Sequence, residues 1–97
     1  MSDWVRVATF EADNDAVESM VKEISSAEGP PPNIPAKSIL VLADRENGTA
    51  RVVVRFDSEE NLRTGSASLD KMEPPADANM RRVSVEKFEV LLERQAS

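Results

Sequence analysis

Three places in this sequence combine residue types that could bind or transform a small molecule, and each is built on arginine. Trp4, Arg6 and Phe10 alternate along one segment, so in an extended chain they project to the same side. The rings at 4 and 10 could stack a flat aromatic anion while the guanidinium at 6 holds one of its oxygens. The same residues could instead fill an apolar interface, with Arg6 paired or at its rim, because large aromatics are the usual interface fillers. Arg55 stands among aliphatic residues in a segment of strand texture, where a charge needs either a ligand or an ion partner. An acid such as Glu86 or Glu89, reached across a dimer, would serve as that partner. Asn79 with Arg81 and Arg82 forms a small basic spot that could meet an acidic ligand or simply be solvated.

The residues that are missing narrow the chemistry further. The chain has no cysteine, histidine or tyrosine. That removes thiolate catalysis, disulfides, Cys- or His-based metal sites and the commonest general base. The acidic runs Glu11-Ala-Asp-Asn-Asp and Asp57-Ser-Glu-Glu lack the spacing and glycine of a calcium loop; helix capping accounts for them. No phosphate-cradling loop, serine elbow or paired-carboxylate pattern is present. The expectation is a chain without metal or cofactor. With 18 acidic against 12 basic residues the formal net charge is −6, which argues against nucleic acid or an anionic membrane as partner. The first residues have neither a basic nor an apolar leader texture, and no stretch approaches membrane-spanning length. A soluble cytoplasmic protein is expected.

At 97 residues the chain is expected to form one domain, 1–97, burying roughly 60–70% of the surface of its unfolded chain. Its organising stretch is Lys37 to Asp57: two runs of aliphatic and β-branched residues joined at Asn47-Gly48, the strongest short hairpin signal. Taking 47 and 48 as a two-residue loop pairs Ala43 with Val52, Leu42 with Val53, Leu40 with Arg55 and Ile39 with Phe56. Asp44 then faces Arg51, as a surface ion pair. Ile39, Val41, Ala43, Val52, Val54 and Phe56 share one apolar face; Leu40, Leu42 and Val53 lie on the other among charges.

The remaining elements follow in order. Trp4 to Glu11 alternates as a strand. Asp13-Asn14-Asp15 can cap a helix whose stripe is Val17, Met20, Val21 and Ile24. Gly29 and Pro30-Pro31-Pro32 stop it, and Gly29 to Ala36 reads as a stiff loop. Asp57 with Glu60, or Ser58, caps a second helix with a weaker stripe at Leu62, Ser66, Leu69 and Met72. Gly65 inside it predicts a close approach or a break. Arg81 to Glu93 is a last strand whose apolar pattern changes phase, suggesting a bulge near Glu86-Lys87.

The order β-α-β-β-α-β predicts an α+β ferredoxin-like domain, with a four-stranded antiparallel sheet and both helices on one face. The all-apolar hairpin face is assigned to the helices. The other would carry Leu40, Leu42 and Val53, with Trp4, Ala8 and Phe10. That is too apolar to leave in water, so two sheets are expected to face each other in a homodimer. The opening strand, the helix from Ala16 to Ser26, the hairpin from Ile39 to Phe56, the Phe56-Asp-Ser-Glu-Glu entry and the closing Arg82-Val-Ser-Val-Glu-Lys-Phe-Glu-Val strand together resemble the dimeric α+β barrel superfamily. Within it, they look like the antibiotic biosynthesis monooxygenase-like domains. The resemblance implies a dimeric barrel with an apolar cavity per subunit and, among its activities, cofactor-free oxygenation of a small aromatic or polyketide-like molecule. It equally admits a non-catalytic dimerising or ligand-binding module. The haem-degrading branch is the least similar, since it uses an axial histidine. Trp4, Arg6, Phe10, Arg55 and Asn79 are the candidate ligand-binding residues; no catalytic residue carries over.

Overall fold

Each element begins and ends where local chemistry sets it. The computed structural model describes residues 2–26, 34–71 and 80–95. β1 (Trp4–Ala12) runs into Asp13, whose Oδ1 accepts the Ala16 N–H at 2.8 Å while its carbonyl accepts that of Val17 at 3.0 Å. The first bond satisfies one of the free donors at the start of α1 (Asn14–Ser26), and the second is the helix's first internal bond. β2 (Ser38–Asp44) and β3 (Thr49–Phe56) form the hairpin, followed by α2 (Glu59–Asp70) and β4 (Met80–Glu89). Ser58 is the cap of α2: its Oγ accepts the Asn61 N–H at 3.1 Å. The prolines at 30–32, Asn79 and Met72 lie outside the described residues.

The hairpin differs from the two-residue turn expected at Asn47-Gly48. Its loop has four residues, 45–48, and the register pairs Asp44 with Thr49, Leu42 with Arg51, Leu40 with Val53 and Ser38 with Arg55. Only Gly48 has a positive φ, at 68°, so Asn47 does not supply the second left-handed residue that a type I′ turn requires. The Asp44 side chain decides the matter. It accepts the backbone N–H of Asn47 at 3.2 Å and its side-chain N–H at 2.7 Å, and so spans a wider turn. The Gly48 carbonyl in turn accepts the Ala12 N–H at 2.9 Å, tying the turn to the end of β1. Pairs therefore shift by two residues. Because side chains alternate with period two, the facial groupings survive; Asp44 and Arg51 are no longer directly opposite, though, after the bonds from Asn47, Arg51 still helps to lower the Asp44 carboxyl.

The sheet is antiparallel with order β2-β3-β1-β4. Both helices pack on the face bearing Val54, Phe56 and Ala50. Leu62 and, in part, Leu69 of α2 join Ile34, Val54, Phe56 and Trp4 at one end. Val17 of α1, with Ala16 and Met20 beside it, joins Ala12 and Ala50 at the other. The ferredoxin-like α+β architecture is the observed one. Phe56 has no exposed surface, and its burial contributes roughly 2–3 kcal/mol. Gly65 explains itself here: a Cβ on it would overlap Cε1 of the Phe56 ring. The close approach is real and the helix is unbroken.

Two further expectations are corrected. Trp4, Ala8 and Phe10 lie on the helix-covered face and not with Leu40 and Leu42. Trp4 pairs with Phe56, Ala8 with Val52 and Phe10 with Ala50, and directly paired residues share a face. Alternation groups the residues of one strand but leaves open which side the group takes; pairing with β3 chooses it. The bulge in β4 falls at Val83, since Thr9 pairs with Ser84 and Phe10 with Arg82. The phase change near 86–87 needs no bulge. Val85 simply belongs to the helix side and Phe88 to the open side of one continuous alternation.

Candidate functional site

Arg6 lies at the middle of β1, on the helix side, and is only 3% exposed. A guanidinium in that setting must be bonded. Its Nε donates to Ser66 Oγ at 3.2 Å and its Nη2 to Asp70 Oδ1 at 2.7 Å. Ser66 and Asp70 are one turn apart on α2, so a single helix face supplies both acceptors. Asp70 is half exposed, and the pair opens to solvent on the carboxylate side. Trp4 packs into the core cluster with Phe56 and Leu62, and Phe10 is half-buried beside Ala50 and Arg82. Trp4, Arg6 and Phe10 do share one face, as their alternation predicted, but the arginine is turned toward α2.

Arg55 takes the opposite side of the sheet, in register with Ser38 and Val5. Its Nε donates to Asp3 Oδ2 at 2.6 Å, and its two terminal nitrogens straddle Glu93, each at 2.8 Å from a carboxylate oxygen. Lys37 Nζ adds a contact to Asp3 at 3.1 Å. The partners are therefore acids of the same chain and not Glu86 or Glu89. The hydrogen bond from Arg55, then that from Lys37, holds the Asp3 carboxyl below its ordinary value. Arg55 lowers Glu93 in the same way, and Asp3 raises Lys37. Glu93 and Asp3 together push Arg55 further up. The charges are mutually committed. Asp44 is lowered too, by its bonds to Asn47.

The third spot separates. Arg81 pairs with Glu11 on the open side, whereas Arg82 lies on the helix side and donates to the Asp70 carbonyl at 3.4 Å; Asn79 lies outside the described residues. The structure thus brings Arg6 and Arg82 to the end of α2 and leaves Arg55 about a different centre. Asp70, Asp3 and Glu93 were missed. Ser66, a hydroxyl on an otherwise apolar helical stripe, was the readable sign that something polar waited beneath α2. Nothing comparable marks Glu93, which lies beyond β4, where the Val90 N–H extends the pairing with β1 by bonding the Asp3 carbonyl at 2.8 Å.

Among the described residues no group of three or more acids is arranged to hold a metal ion, and no helix is long and apolar enough to cross a membrane. What the fold and these clusters define is a ferredoxin-like α+β domain with one sheet face that no described helix covers. No family model, curated protein or solved structure matches the chain.

Proposed function

We propose that this chain is a non-catalytic dimerising module that associates with a second copy of itself through the bare face of its sheet. The observation that carries the reading is that face: Leu40 and Leu42 are 55% and 45% exposed and Phe88 is 48% exposed, with Val5, Val7 and Val53 between them in register. A contiguous apolar patch of this kind is characteristic of an interaction surface. Arg6 and Arg55, the two charges best placed to hold a ligand, are each engaged by acids of the same chain, which favours association over substrate binding. Sedimentation of the purified chain across micromolar concentrations tests it. A mass twice that of the chain is expected, and a monomer mass throughout would defeat the proposal.

The second reading is a cofactor-free, monooxygenase-like protein acting on a small aromatic or polyketide-like molecule. It is favoured by the common face of Trp4, Arg6 and Phe10, where displacement of the half-exposed Asp70 would free a guanidinium for an enolate or similar anion. Oxygen uptake with anthrone-type quinols separates the two. The non-catalytic reading expects the buffer rate.

A further inference from the structure

That open sheet face carries two charges that no hydrogen bond or salt bridge among the described residues engages, although, after the bonds from Asn47, Arg51 stands close enough to Asp44 to help lower its carboxyl. Arg51 and Glu86 both lie on it, Arg51 in register with Leu42 and Thr9, and Glu86 in register with Val7. Among the described residues neither has a hydrogen-bonded or ion-pair partner, unlike Arg55, Arg81 and Lys37 around the margins of the same face. Opposite charges left unpaired within an apolar surface are what a self-complementary interface uses to set its register.

The pairing fixes where these residues stand relative to one another. One row across the sheet is Ser38, Arg55, Val5 and Phe88; the next is Leu40, Val53, Val7 and Glu86; the third is Leu42, Arg51, Thr9 and Ser84. Neighbouring strands lie about 4.8 Å apart, and rows on one face about 6.8 Å apart. A two-fold axis lying in the interface acts on this grid as a mirror line. The line that exchanges Arg51 with Glu86 runs diagonally between Val53 and Val7. It also carries Leu40 onto Val5, Leu42 beside Phe88, Val53 toward Val7 and Thr9 toward Ser84. Apolar meets apolar, hydroxyl meets hydroxyl, and the two lone charges meet each other. Arg55 lies beside the axis at one end of the face, about 4 Å in projection from its own symmetry copy on the same spacings, each copy already neutralised by Asp3 and Glu93. An axis along the strands would instead set Leu40 against Glu86, and one across them would set Arg51 against Val53. Both bury a charge on an aliphatic side chain, which is costly.

Resting on the dimerising reading above, we propose that two copies pack face to face about this diagonal axis, each copy's Arg51 meeting Glu86 of the other. The strands of the two sheets then cross at roughly 70°, near the orthogonal class of sheet packing.

Because the chain has no cysteine, the register is open to direct test by disulfide trapping. Chains carrying Leu40→Cys are mixed with chains carrying Val5→Cys, or with chains carrying Glu86→Cys, and oxidised. A covalent dimer from the Leu40 and Val5 pair, and little from the Leu40 and Glu86 pair, is expected. The opposite pattern would overturn the diagonal axis while leaving the dimer standing. Charge exchange gives an independent readout in sedimentation. Arg51→Glu alone should weaken association at least tenfold, and the double variant Arg51→Glu with Glu86→Arg should recover most of it. Singles that weaken binding without recovery in the double would also reject this register, again without touching the dimer. A wild-type chain that never dimerises would instead reject the reading on which the register rests.

Discussion

The two faces of the sheet are made from the same strands and have opposite characters. On the helix side, α1 and α2 cover the central strands, and even a charge, Arg6, is enclosed with its hydrogen bonds complete. On the bare side, leucines and a phenylalanine stand about half exposed, with Arg55 and Arg81 paired at the margins and Arg51 and Glu86 without a salt bridge among the apolar rows. The helix side is closed by the chain's own helices; no described helix closes the other, which on the proposed dimer a second copy covers. Substitutions on the first face should therefore register as folding free energy, and substitutions on the second as association.

The largest effect expected on that basis is Phe56→Ala, which removes the most enclosed side chain of the helix side and should cost about 3–5 kcal/mol in chemical denaturation. Gly65→Ala comes next. Its Cβ would meet the Phe56 ring, and overpacking of this kind costs about 1–3 kcal/mol, outweighing the gain of up to 1 kcal/mol in helix propensity. Coupling is the sharper check, since the penalty should shrink when Phe56 is also shortened to Leu. Asp70→Asn takes the charge partner from buried Arg6 and should cost about 1–3 kcal/mol. If the denaturation midpoint did not move, the guanidinium must find water, and the helix side would be less closed than described.

Leu40→Asp should leave the monomer's stability within about 0.5 kcal/mol, as expected of an exposed site, yet abolish dimerisation at micromolar concentration. A variant that unfolds instead would erase the distinction between the faces. Smallest is the pH response of the marginal cluster. Asp3 and Glu93 are held below their ordinary values of 3.8 and 4.5. Their contribution is thus present above those values and lost as the pH falls through the lowered ones. Lys37 is raised above 10.5; its contribution is present below that and lost as the pH rises through the raised value. Carboxyl titration followed by NMR should return Glu93 toward the ordinary range in Arg55→Gln and raise Asp3 only part of the way, because Lys37 still holds it.

Much of the fold was legible because it rests on short-range regularities. Alternation marked β1, the Asp13 and Ser58 caps marked both helix starts, and the two-residue period grouped the hairpin side chains correctly even though the turn was misread. A shift of two residues is invisible to a pattern of period two, so the faces were right while the partners of Arg51 and Arg55 were wrong. The site was less legible. Arg6 and Arg55 stood out as charges in need of partners, but their acids lie far along the chain, at Asp70 and Glu93.

Spacing along one chain thus carries the element order and which residues travel together on each strand, and composition alone rules out cysteine and histidine chemistry. Folding in three dimensions settled which side of the sheet Trp4, Arg6 and Phe10 would take. It also decided that Asp44 would widen the turn and which acids would answer the two arginines. Those outcomes depend on the register between segments distant in sequence, and no local period records it.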